Sequence, residues 1–400
     1  MVIQVPLEYQ DKLEPIENDD KRTDDEILRT LREYQPVTSE KNIWTFWDSG
    51  IHGMPAWCRR NVIGWVRICG PGWTVRIIDS IPESPNYAAK YIPTGLPDTY
   101  YNKTMDGTHP GPHSADFLRG ACLYEYGGAW VDSSIFLMRN MDDICWNQLE
   151  DPTSPYRVAV PAISDNMVNF FIAARKHDPF IKRWHDIFMH VWQGRTNADG
   201  LAEHPLLVPI APYFLEQLGA RLQDGMGLKV PIEKVIEYGA QMVCWTRVSM
   251  LEDTGDGFSG ADYWPKNILW VHCMHEILRA FDQGTESPAF QKGQELFDQF
   301  ATKRDGPTDS EQYKEAEKMV WTQLTDSSML KIGTIKGMVD WVSLGTLWNK
   351  PENLGKECEP GTFGELLRQV PLHFRQKRRD ILTFEPKRSP VTFKKGVLEP

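Results

Sequence analysis

The sequence predicts an α/β fold: a central sheet of mixed, mainly parallel strands with helices on its faces. Three observations lead there. From Lys41 to Ile81, strand-like and helix-like runs alternate at the spacing of a strand–helix–strand unit. Between His113 and Leu137 a helical run meets Gly127-Gly128 and passes into an apolar strand that ends on Asp132. With 400 residues, 41% of them hydrophobic and 25% charged, the chain can bury one large core or two.

Residues 1–40 are polar and densely charged, and read as an N-terminal helical arm whose first twenty residues are loosely held. Thr23-Asp24-Asp25-Glu26 is a capping box that starts a short helix through Glu33, closed by Pro36. Ile43-Trp44-Thr45-Phe46-Trp47 is a buried strand, Pro55 to Cys69 a helix, and Trp73 to Ile78 a second strand ending at Asp79. Ligands of an open parallel sheet sit beyond the carboxyl ends of its strands, so Trp47-Asp48-Ser49-Gly50 is a natural base or ribose site. Taken alone, Trp44 and Trp47 more often belong to a core. Pro82 to Pro112, rich in proline, tyrosine and glycine, reads as short helices over the cleft.

Ser114 suits an N-cap, Ala115 to Tyr126 is helical, and Gly127 takes the left-handed conformation that ends a helix. Asp116 and Arg119 stand three apart and share a helix face. Asp132 interrupts an apolar run where a buried strand ends, and a carboxylate there needs a cation or donors. Carboxylate and hydroxyl oxygens at Asp132 and Ser134 suit Mg²⁺ or Mn²⁺. An anion held by Arg119, a hydroxyl bonded by Asp116 and a metal at Asp132 together fit a nucleotide diphosphate. An i,i+3 surface pair beside a capping aspartate is the alternative.

Ser114-Ala115-Asp116, Arg119, Leu123, Gly127-Gly128, Trp130 and Asp132 follow the pattern (S/A)-D-x-x-R-x-x-x-L-x-x-x-G-G-x-(W/Y)-x-D. This resembles the signature of the capsular polysaccharide synthesis protein family and, more widely, of family-32 glycosyltransferases and the large clostridial glucosylating toxins. The resemblance covers Ile43 to Phe180 well and the rest weakly. It implies the GT-A architecture, a Rossmann-like fold that binds nucleotide-diphospho-sugars. It also implies a nucleotide held at Trp47, Ser49 and Gly50, and Asn169 facing sugar or acceptor. Many relatives carry a full D-x-D where this chain has Asp132-Ser133-Ser134, which leaves the second ligand position to the hydroxyl of Ser134.

Val158 to Ile163 is the next strand, and Asn166 to Ala174 is expected to enter a helix ending near His177. Ile181 to Trp192 is an amphipathic helix, and Lys229 to Arg247 holds two strand pieces. Ile268 to Val271 is a late strand ending in His272-Cys273-Met274-His275. One of those histidines completes the metal site, or both cap the strand end. Met329 to Ile332 and Thr334 to Gly337 suit a closing segment in which a lysine, here Lys331, pairs with the diphosphate, as the resemblance implies. From Pro371 the tail carries eight Lys or Arg against three acids, and reads as a solvated helix or a weak contact with an anionic membrane.

The domain reading is an arm (1–40), a GT-A catalytic domain (41–300), and a C-terminal helical and lid segment with a basic tail (301–400). A formal net charge of −11 excludes nucleic acid as main partner. No apolar run reaches membrane-span length, and seven unpatterned cysteines point to a reduced, cytoplasmic setting. The expected function is metal-dependent transfer of a sugar from a nucleotide sugar to a hydroxyl acceptor, glycan or small molecule, with retention. Hydrolysis of the nucleotide sugar and non-catalytic binding are the alternatives.

Overall fold

A computed structural model describes residues 3–163, 166–216, 227–281, 293–333 and 337–400. Its centre is an eight-stranded mixed sheet. The labelled strands are β1 (Asn42–Phe46), β2 (Thr74–Ile78), β3 (Gly128–Val131), β5 (Val158–Ile163), β6 (Phe171–Ala174), β7 (Ile268–His272) and β9 (Thr383–Phe384). Their order is β9-β7-β5-β6-β3-β1-β2, and the short Asn166–Met167 strand pairs with β5. Two further strands, β4 (Ile135–Leu137) and β8 (Met329–Lys331), form a separate antiparallel ladder.

Successive side chains of a strand face opposite ways, and here both faces are dry. Ile43, Ala129, Phe171 and Leu269 enter one core, whereas their neighbours Trp44, Trp130, Ile172 and Trp270 enter the other. Helices α2 (Ala56–Cys69), α7 (Glu311–Asp326) and α8 (Phe363–His373) cover the first face. The second is covered by α3 (Pro110–Tyr126), α4 (Pro179–Val191) and α6 (Ala240–Met250).

β1 runs parallel to β2 and β3, and β7 parallel to β5. β6 is antiparallel to both β3 and β5. One edge of the sheet therefore collects the carboxyl ends of β1, β3, β5 and β7 together with the start of β6. Gly127 (φ +70°) and Gly128 (φ +102°) make the turn from α3 into β3. A side chain on Gly128 would run into the Asn42 carbonyl, so glycine is required both for its conformation and for its contact with β1.

Several expectations are corrected. Asn166–Ala174 forms two strands rather than a helix start, because its apolar run is paired between β3 and β5. Residues 229–247 hold helices, α5 (Ile232–Tyr238) and α6, rather than strands; α6 shows no one-sided apolar stripe because it is buried nearly all round. Helix α3 starts at Pro110, so Ser114 lies inside it and is no cap. Residues 9–15 of the arm are not loose: Tyr9 and Leu13 are buried, and Leu13–Pro15 pairs with Phe374–Gln376. The basic tail is no solvated helix. Its Arg375, Arg378 and Arg388 pair with Glu14, Glu276 and Asp262, and Thr383–Phe384 joins the sheet. The capping box of α1 (Asp24–Thr30) forms as read, with both of its hydrogen bonds. Thr334, Ile335 and Lys336 of the expected closing segment lie outside the described residues.

Candidate active site

The corner formed by α3, the Gly127-Gly128 turn and β3 places three of the expected groups within bonding reach. Arg119, 4% exposed at its side chain, donates from Nη1 to Asp116 Oδ1, and its Nη2 lies 3.5 Å from Asp132 Oδ1. Its guanidinium lies 5.2 Å over the Trp130 ring. Trp130 Nε1 donates to Asp132 Oδ1 at 3.2 Å, so two neighbouring side chains orient that carboxylate. Asn169, in the turn before β6, donates from Nδ2 to Asp116 Oδ1 at 3.2 Å. His113 Nδ1 lies 3.7 Å from the other Asp116 oxygen.

Lys331 arrives from the opposite end of the sequence. The β4–β8 ladder sets Lys331 opposite Ile135, and Ile332 N–H donates to the Ser134 carbonyl at 3.0 Å. Lys331 Nζ then donates to Asp132 Oδ2 at 2.8 Å and to Ser134 Oγ at 2.7 Å. Burial would raise the Asp132 carboxyl, but Lys331 and then Arg119 hold it below its usual range.

Sequence reasoning missed Gln241, on α6 and 2% exposed. Its Oε1 accepts from Arg119 Nη1 and, at 3.0 Å, from Asn169 Nδ2; its Nε2 donates to the Asp116 carbonyl at 2.6 Å. A lone amide in the apolar run Ala240–Met250 was the available signal, since buried amides need partners. Tyr238, just before α6, was missed as well. Burial, then Asp116 and Asp132, push its phenol upward, and its ring packs 5.0 Å from that of His109.

Trp47, Ser49 and Gly50 follow β1, which pairs in parallel with β3, so their loop lies on the same sheet edge one strand from Asp132. Gly50 needs its positive φ, +68°, to turn there. The late histidines are not brought to Asp132. Strands β5 and β6 stand between β7 and β3, a separation of about 14 Å at normal strand spacing. His272 instead caps the following turn and stacks 4.1 Å from Phe384, while His275 Nδ1 meets Arg279 Nη1 at 2.8 Å.

A buried and a half-buried carboxylate, a guanidinium, an ammonium and amides are thus gathered at the carboxyl edge of an α/β sheet, an arrangement suited to a phosphorylated ligand. Residues 15–200 match the family model described as capsular polysaccharide synthesis protein. Over 402 aligned residues, 99% of each chain, the sequence is 45% identical to the probable glycosyltransferase FCK3 of Fusarium pseudograminearum. The chain belongs to the capsular polysaccharide synthesis-like glycosyltransferases. This glycosyltransferase is also 38% identical to the O-glycosyltransferase braB of Annulohypoxylon truncatum, over 97% of this chain and 93% of that one. It is 35% identical to the O-glycosyltransferase PaGT of Phomopsis amygdali, over 92% and 89%.

The donor set does not fit the expected Mn²⁺ or Mg²⁺. One carboxylate and one hydroxyl are available at Asp132 and Ser134, and both are bonded to Lys331. Among the described residues no three His, Cys, Asp or Glu side chains are grouped to hold a metal ion, so an ion here would take its remaining ligands from a bound diphosphate. A dication on the same two oxygens, at about 2.1 Å, would lie within about 5 Å of Nζ. At an effective dielectric of about 20 the repulsion there is on the order of 7 kcal/mol.

A cavity of about 270 Å³ lies elsewhere, between α2 and α8. Within its charged lining Arg60 pairs with Glu357 and Arg67 with Asp24. No helix among the described residues is long and apolar enough to cross a membrane.

Proposed function

We propose that this glycosyltransferase takes its sugar from a nucleoside-diphosphate donor and delivers it to a hydroxyl acceptor with retention of anomeric configuration. The observation that carries the reading is the convergence of Lys331, Arg119 and Asp116 on one sheet edge, with Asp132 orienting both cations. Charge builds on the departing phosphate oxygen as the sugar–phosphate bond lengthens. Fixed cations aimed at that oxygen act only in the transition state, and removing one such group in other enzymes costs about 3–4 kcal/mol. Asp116, held by Arg119 and Asn169, keeps an acceptor oxygen for a donor hydroxyl. The Trp47–Gly50 loop, on the neighbouring strand end, would take the base or ribose.

Two relatives are named O-glycosyltransferases, which supports oxygen as the accepting atom. Retention is supported by the state of the two corner carboxylates: each is bonded to a cation, so neither stands free as the general base of an inverting attack. The seven cysteines are all free thiols, six of them buried, which supports a reducing, cytoplasmic setting.

A panel of UDP- and GDP-sugars, read by nucleotide release with and without a hydroxylated acceptor, tests this reading. Acceptor-stimulated release of one nucleotide is expected. Release that no acceptor increases would make the protein a hydrolase. Donor binding without any release would make it a binding protein.

A further inference from the structure

The expected metal position is bonded, on both of its oxygens, to a cation that the chain itself supplies. Lys331 reaches Asp132 Oδ2 and Ser134 Oγ at once, and the side chain is 12% exposed against 30% for Asp132. Three features fix it there. The β4–β8 ladder sets its register. Gly333 lets the chain pass Ser134, since a Cβ there would lie 3.0 Å from Ser134 Oγ. Buried Glu276 anchors the strand from behind, accepting from Ser328 Oγ at 2.6 Å while Lys331 N–H donates to the Ile277 carbonyl at 3.3 Å. A surface lysine that had drifted onto a carboxylate would have none of these.

The charges also close. A divalent ion held by two carboxylates sums to zero; so does one ammonium beside one carboxylate, which is what Lys331 and Asp132 provide. Adding a dication to this pair would leave two positive charges in excess.

We propose that the Lys331 ammonium performs the task of a divalent cation, so that donor cleavage by this enzyme requires no metal ion. The inference rests on the nucleotide-sugar reading above. As the bond between the anomeric carbon and the β-phosphate oxygen breaks, its electron pair leaves on that oxygen, where Lys331 and Arg119 neutralise it. The acceptor oxygen forms the new bond to the anomeric carbon, and the acceptor's proton passes to the departing phosphate. Lys331 keeps its own protons throughout. Asp132 and Ser134 serve to aim the ammonium.

The test uses the full chain, stripped of metals, with UDP-glucose, UDP-N-acetylglucosamine and GDP-mannose as donors. Nucleotide release is measured in EDTA and in Mn²⁺, beside calorimetric binding of UDP and GDP in EDTA. The wild type is expected to turn over equally in both media and to bind its nucleotide in EDTA. Lys331→Met, with an unchanged melting temperature, is expected to lose about a hundredfold or more in either medium. Lys331→Glu, which restores a second carboxylate, is expected to be inactive in EDTA and partly rescued by Mn²⁺. Wild-type release that collapses in EDTA and returns with Mn²⁺ overturns the inference while leaving glycosyl transfer standing. So does a folded Lys331→Met that turns over normally. No release from any donor in either medium refutes the transfer reading itself, and this inference with it.

Discussion

Replacing Gln241 by leucine tests whether the corner is held by the amide that sequence reasoning overlooked. Leucine keeps the bulk but removes both hydrogen-bonding ends. Oε1 no longer accepts from Arg119 and Asn169, and Nε2 no longer donates to the Asp116 carbonyl. One of these bonds is to a cation and two are between neutral groups, and the site is 2% exposed, so water cannot substitute. At about 1 kcal/mol for each neutral bond and about 2 for the charged one, the loss is about 4 kcal/mol. Part of it returns because Arg119 keeps Asp116. A fall of about 3 kcal/mol in urea-unfolding stability is therefore expected, at unchanged m-value. The guanidinium also loses one of the two acceptors of its Nη1, so kcat/KM should drop by tenfold or more, to an extent set by about 1.4 kcal/mol per decade. A Gln241→Leu protein with wild-type stability and wild-type nucleotide release would show that the amide does not hold the corner.

Two further outcomes concern stability. Burial alone would raise the Glu276 carboxyl, but two bonds from Arg378 at 2.7 Å, with Leu382 N–H and Ser328, hold it below its usual range. Its stabilising contribution is present above the ordinary glutamate range and is lost as pH falls through the lowered folded value. Glu276→Gln should lower the urea midpoint at pH 7 by an amount corresponding to about 3 kcal/mol and flatten the acid limb, with nucleotide release falling because Lys331 shares the anchor. His185 on α4 packs against Gly120 of α3, where a Cβ would lie 2.9 Å from its Nδ1, and burial pushes the imidazole down to about 4. Between pH 6.5 and about 4 the unfolded chain binds a proton that the folded chain refuses, so stability should fall with acidity by up to about 1.4 kcal/mol per pH unit. Urea titrations at stepped pH check this; a His185→Gln protein with an identical pH profile would contradict it.

What the sequence made legible was local. Gly127-Gly128 announces the turn by itself, and the spacing of Asp116, Arg119 and Asp132 survives into the site because all three ride on one helix–turn–strand unit. The run Phe170 to Ala174 misled because a short apolar stretch has no periodicity to separate a strand from a helix, and only its two flanking strands decide it. Helix α6 misled for the opposite reason, since Val243, Trp245 and Val248 favour strands in isolation but are buried on every side here. Gln241 reaches Arg119 across 122 positions, and Lys331 reaches Asp132 across 199. Pairings that distant leave no mark in local pattern, so Lys331 could be read as part of a closing segment but not as the partner of Asp132.

A crystal structure of the protein soaked with UDP or GDP in EDTA tests the central claim most directly. The diphosphate should lie within hydrogen-bond distance of Lys331 Nζ, with the Arg119 guanidinium facing it and the base beside Trp47. Density for the nucleotide in the cavity between α2 and α8, with the Lys331–Asp132–Ser134 contacts undisturbed and no phosphate beside them, would contradict the account.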